Sequence, residues 1–88
     1  MKQCISEEQF NQLPDDKLIE FTKYFKFGEG LTAKWWTLGK LIEILQGEGI
    51  KILLDNCIPA SVWVEKDKKE YCDREICDAL WKIVLDYI

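Results

Sequence analysis

The succession of hydrophobic periods along this 88-residue chain predicts an α+β fold. Helical spacing governs the chain up to Gln46, a period of two takes over from Gly49, and Asp73 to Ile88 returns to helical spacing. The expected arrangement is two or three N-terminal helices, a small three-stranded antiparallel β-meander, and a C-terminal helix packed on the sheet. All of it belongs to one domain, residues 1–88, with no repeat, low-complexity tract or linker.

Ser6 followed by Gln9 is a capping-box pattern, and the short helix it starts carries Phe10 and Leu13 inward before Pro14 resets the chain. Pro14 suits the first turn of a second helix. Asp15 and Asp16 then face the positive end of the helix dipole, and Leu18, Ile19, Phe21, Tyr24 and Phe25 supply the apolar face. Gly28 and Gly30 are expected to end this helix near Phe27. Leu31 to Trp36 reads as a connector, after which Thr37 caps a third helix over Leu38 to Gln46, stopped by Gly47 and Gly49. Gly39 inside its first turns points to a tight helix crossing, since glycine there costs about 1 kcal/mol relative to alanine.

From Gly49 to Asp55, Ile50, Ile52 and Leu54 face one way and Lys51, Leu53 and Asp55 the other, which is a strand. Asp55 and Asn56 open a turn, and Pro59 prevents a direct continuation. Val62 and Val64 alternate with Ser61, Trp63 and Glu65 in a second strand, Lys66 to Lys69 form a polar hairpin turn, and Glu70 to Cys72 form a third strand. Asp73 is expected to cap the last helix. Its polar residues Glu75, Asp78, Lys82 and Asp86 form one stripe, leaving an apolar surface broad enough to need two covers, a sheet on one side and helices or a partner on the other.

Composition excludes several function classes. An apolar share of 48% with 32% charged residues is that of a folded domain, and a net charge of −4 argues against direct nucleic-acid binding, which needs a clustered basic surface. The basic pair Lys68 and Lys69 is hemmed by Asp67 and Glu70. No apolar stretch reaches the roughly twenty residues that span a bilayer, and Met1 to Phe10 lacks the pattern of a signal peptide, so a cytoplasmic location with no membrane contact is expected. Cys4, Cys57, Cys72 and Cys77 are then expected to be reduced thiols; the spacing of Cys72 and Cys77 allows a reversible disulfide, at the cost of distorting the helix start. Their spacing offers no C-x2-C knuckle, the chain has no histidine, and no metal or cofactor is expected.

No catalytic residue emerges. Glu7 with Glu8 and Asp15 with Asp16 are explained by helix starts, and Gly28, Gly30 and Gly39 fit no phosphate-binding loop. The aromatic residues are more informative. Consecutive Trp35 and Trp36 in a non-helical segment cannot easily both point inward, and Trp63 shares its strand face with Ser61 and Glu65, while Trp81 reads as core. Exposed tryptophan is enriched at interface centres. Trp35, Trp36 and Trp63 are therefore expected to anchor a partner, with Glu29, Glu65, Asp67 and Glu70 as an acidic rim. Such an anchor implies that alanine at both Trp35 and Trp36 weakens binding and leaves the fold intact.

Thr37-Leu38-Gly39-Lys40-Leu41-Ile42-Glu43-Ile44-Leu45 resembles a "T-I-G-Q-M-I-E-F-L" helix start, and Ile76-Cys77-Asp78-Ala79-Leu80-Trp81-Lys82 an "L-C-D-A-L-W-E" closing helix. Both patterns, with the opening Ser6 to Pro14, resemble small open reading frames of phages and prophages of low-GC Gram-positive bacteria. The resemblance implies a phage accessory protein, a class that includes anti-CRISPR inhibitors of bacterial defence. The expected function is non-enzymatic binding to a host protein such as a nuclease or defence effector complex. The alternative is a homodimeric structural or assembly protein whose subunit contact is the wide apolar surface of Asp73 to Ile88.

Overall fold

A computed structural model describes residues 3–26, 32–55 and 59–87. Its first helix, α1 (Glu7–Phe10), is set by the capping box: the Ser6 hydroxyl accepts from the Gln9 amide at 3.1 Å, and Gln9 Oε1 accepts from the Ser6 amide at 2.8 Å. Helix α2 (Asp15–Phe21) follows and tightens into a 3-10 turn over Thr22–Tyr24, so the expected run to Phe27 ends early. Phe21 is its buried residue, whereas Ile19 points outward at 71% exposure. A second 3-10 turn, Ala33–Trp35, leads to α3 (Leu38–Gly47), which Thr37 caps through the Lys40 amide at 3.2 Å.

Of the two glycines expected to stop α3, Gly49 does so and Gly47 does not. Gly49 has φ +79°, its amide donates to the Gln46 carbonyl, and the Ile50 amide donates to the Leu45 carbonyl at 2.9 Å. These bonds form a Schellman motif, which requires a left-handed residue and favours glycine. Gly47 instead lies inside the helix beneath Tyr24, where a Cβ would stand 2.7 Å from a ring carbon. Gly39, assigned above to a tight crossing, has nothing within 4 Å of where its Cβ would stand, so no packing reason keeps it small.

The meander consists of β1 (Ile52–Asp55), β2 (Ala60–Val64) and β3 (Lys69–Asp73), antiparallel in the order β1-β2-β3. β1 starts two residues later than its pattern suggests because Ile50 is occupied with ending α3. The hairpin from β2 to β3 turns over Glu65–Lys68, with Lys68 at φ 52°. Ala60, Val62 and Val64 point into the core and Tyr71 joins them.

The last helix, α4 (Ile76–Tyr87), covers this inner face. It begins later than an Asp73 cap would place it: Asp73 ends β3, and the Asp78 and Ala79 amides donate to the Glu75 carbonyl. Ile76, Cys77, Ala79, Leu80, Trp81, Ile83 and Val84 are buried. Against them lie β2 and β3 on one side and α3 on another, and α1 is tied on by Gln9 Nε2 donating to Asp78 Oδ1 at 2.8 Å. The broad apolar surface is thus consumed within the chain, which corrects its assignment as a subunit contact. None of the helices among the described residues is long and apolar enough to cross a membrane.

Trp36 is fully buried, at 0% exposure, among the rings of Phe10, Phe21, Phe25 and Trp81 at centroid distances of 6.1, 5.6, 5.1 and 5.8 Å. Trp35 beside it is 41% exposed. Equilibrium urea unfolding should show Trp36→Ala losing about 3–5 kcal/mol and Trp35→Ala less than about 1 kcal/mol. The same measurement should show Gly39→Ala gaining up to about 1 kcal/mol, because the helix benefits and nothing is displaced.

Candidate functional site

A sheet covered on one side leaves the other side to solvent, and the strand register decides which residues occupy it. Leu53 of β1, Trp63 of β2 and Glu70 of β3 stand in one row across the outer face, with Asp55, Ser61 and Cys72 in the next row. Lys51 and Glu65 continue the face beyond Trp63, joined by the Glu65 amide donating to the Lys51 carbonyl at 3.2 Å. Leu53 is 64% exposed and Trp63 half-buried, so the two form an apolar patch flanked by the exposed carboxylates of Glu65 and Glu70. A shallow depression lined by Gln46, Ile50, Lys51, Ile52, Leu53 and Glu65 adjoins it.

The expected anchor is only partly assembled. Trp63, Glu65 and Glu70 come together on the outer face. Trp36 does not join them, which corrects its place in the anchor: its indole is enclosed by four rings and reaches no surface. Trp35 is exposed but belongs to the helical layer beside α1, with Lys34 Nζ 5.5 Å from its ring centroid, away from the sheet's outer face. Asp67 is turned from Trp63 toward the end of α4, its Oδ2 accepting from the Tyr87 hydroxyl at 2.5 Å. Glu29 lies outside the described residues. Leu53 completes the patch although the expected anchor does not include it; strand alternation is the signal that finds it, since Leu53 and Leu54 are adjacent in one strand and cannot share a face.

The Cys72 thiol donates to Glu70 Oε1 at 2.9 Å, and that carboxylate raises its pKa above the ordinary thiol value, suppressing the nucleophilic thiolate. Among the described residues no three cysteine or carboxylate side chains converge as a metal site would require. Buried side-chain nitrogen and oxygen atoms among those residues all have hydrogen-bond partners. No protein family, curated protein or solved structure matches this chain.

The sheet is held to α4 by an ion pair, Lys82 Nζ to Asp73 Oδ2 at 2.8 Å, and by the Tyr71 hydroxyl donating to Asp86 Oδ2 at 2.7 Å. The Lys82 ammonium, chiefly by hydrogen bonding, holds the Asp73 carboxyl below its usual range. A depressed folded-state pKa contributes stability above the unfolded carboxylate value of about 3.9 and loses it as pH falls through the folded value. Lys82 is 53% exposed, so solvent screening leaves the pair about 0.2–1 kcal/mol. Asp73→Asn should therefore cost that amount at neutral pH and nothing at strongly acidic pH, as read from unfolding curves taken across the acid limb.

Proposed function

We propose that this chain is a non-enzymatic protein-binding module that occupies a surface of a larger protein through the outer face of its sheet. The observation that carries this reading is the Leu53 and Trp63 patch, two large apolar side chains paired across β1 and β2 on the open face of the sheet, with Leu53 64% exposed. Trp63 offers a rigid aromatic anchor and Leu53 an adjoining aliphatic contact, while Glu65 and Glu70 form a charged rim. A partner with a basic surface would be drawn to that rim, and the encounter would be accelerated by opposite charge. The resemblance of the α3 and α4 segments to phage accessory frames supports a finer proposal: the partner is a nuclease or effector complex of bacterial defence, and binding blocks its nucleic-acid channel.

Trp63→Ala combined with Leu53→Lys tests the patch, because both side chains stand on the outer face and neither is part of the buried core. The double variant should keep its far-ultraviolet dichroism and lose at least about tenfold in affinity for a purified partner, since interface hot spots contribute about 2 kcal/mol or more. Trp35→Ala should bind as tightly as the parent. Equal affinity of the double variant and the parent would reject the outer face as the contact, and turnover of a substrate by the pure protein would reject the non-enzymatic reading altogether.

A further inference from the structure

Strand β1 is an edge strand, and its free side carries its own complement. The Glu65 amide bond to the Lys51 carbonyl, together with the pairs Leu53 with Trp63 and Asp55 with Ser61, sets the phase of the ladder. In an antiparallel pair, alternate residues exchange both backbone bonds with the same neighbour. Lys51, Leu53 and Asp55 therefore bond toward β2, and Ile52 and Leu54 turn their N–H and C=O groups to the open side. Among the described residues nothing bonds to those groups. The opposite edge is protected: Lys69 and Glu70 charge it, and the Cys72 carbonyl accepts from Lys82 Nζ at 3.4 Å. β1 carries charge only at its two ends, Lys51 and Asp55, and between them Leu53 is 64% and Leu54 44% exposed.

We propose that β1 is the contact of a symmetric dimer, in which two copies pair antiparallel about a two-fold axis passing between their Leu53 residues and continue one sheet. In this register Ile52 of each copy stands opposite Leu54 of the other, and each such pair exchanges both of its backbone hydrogen bonds, satisfying the groups that the monomer leaves open. Leu53 meets the second copy's Leu53 at the non-hydrogen-bonded position, where side chains approach most closely. Lys51 meets the second copy's Asp55 at both ends of the contact, on the same face as the leucines. Charge complementarity selects this register. A shift of two residues either way sets Leu53 against Asp55 or Lys51 and leaves charges unmatched, and a shift of one sends facing residues to opposite sides of the sheet.

The occupant is thus a second copy of this chain, since the strand matches itself in backbone phase, in charge and in apolar content. Pairing also joins the two outer faces into one strip that runs Glu70, Trp63, Leu53, Leu53, Trp63, Glu70 across the extended sheet. The dimer does not depend on the identity of any other partner. One short strand per copy buries less than the ~1,200–2,000 Å² of a standard stable interface, so the dimer dissociates on dilution.

Sedimentation velocity of the full chain from micromolar to millimolar concentration should show a monomer giving way to a dimer, and amide exchange at Ile52 and Leu54 should slow over the same range. Lys51→Asp and Asp55→Lys each set like charges together and should weaken association about tenfold. The combined variant Lys51→Asp/Asp55→Lys should recover it, as should an equal mixture of the two single variants, whose charges complement each other across the axis. Both positions are exposed, and circular dichroism checks that each variant folds. A parent protein that stays monomeric throughout, a dimer indifferent to both single variants, a mixture no tighter than its components, or a β1 edge that pairs only with a strand of another protein would overturn the proposal.

Discussion

The burial of Trp36 is the constraint around which the rest of the molecule is arranged. Its ring meets Phe10 from α1, Phe21 from α2, Phe25 from the segment after it and Trp81 from α4. Edge-on aromatic pairs contribute about 0.5–1.5 kcal/mol each beyond the area they bury, so one side chain couples elements that are otherwise short and weakly connected. The backbone reinforces the junction: the Trp36 carbonyl accepts from the Ile5 amide at 3.1 Å, and the Gln3 carbonyl accepts from the Leu38 amide at 3.0 Å. Helix α1, only four residues long, would be marginal alone. It persists because the capping box closes its own first turn, Phe10 packs on Trp36 and Gln9 Nε2 donates to Asp78 of α4.

The position of α4 follows from that centre and in turn decides which side of the sheet is wet. Trp81 carries the helix against Trp36, and its indole N–H donates to Gln12 Oε1 at 3.3 Å, while other faces of α4 seat on α3 and on β2 and β3. One helix therefore serves two layers, which accounts for its nearly continuous apolar surface. The helical layer is spent on the inner face of the sheet. Nothing among the described residues is left to cover the outer face, so β2 alternates buried residues with half-buried ones.

This one-sidedness also explains the placement of charge. The outer face holds Lys51, Asp55, Glu65 and Glu70 around Leu53 and Trp63, whereas the inner face directs its polar groups to partners within the chain: Asp73 to Lys82, Tyr71 to Asp86, and Asp67 to Tyr87. Carboxylates with an internal partner secure the sheet to α4. The carboxylates of the outer face shape the exposed surface, and the proposed host contact and the proposed β1 pairing both draw on them.

The sequence by itself made legible the fold class, the number of strands, the order of strands and helices, and the caps at Ser6 and Thr37, through periodicity and hydrogen bonds spanning three or four residues, while leaving open whether two or three helices precede the sheet. It also placed Leu53 and Trp63 on the face opposite the core valines, since side-chain alternation in a strand is local geometry. Which of two adjacent tryptophans goes inside was not legible there: Trp35 and Trp36 are chemically identical, and only the rings gathered from four distant segments distinguish them. The same holds for Gly47, kept small by Tyr24, for Asp67, turned aside by Tyr87, and for the apolar width of α4, which the tertiary structure spent on internal layers. Local rules reach as far as a turn of helix or a pair of strands, and the choice of which surface remains open is made by contacts between residues far apart in the chain.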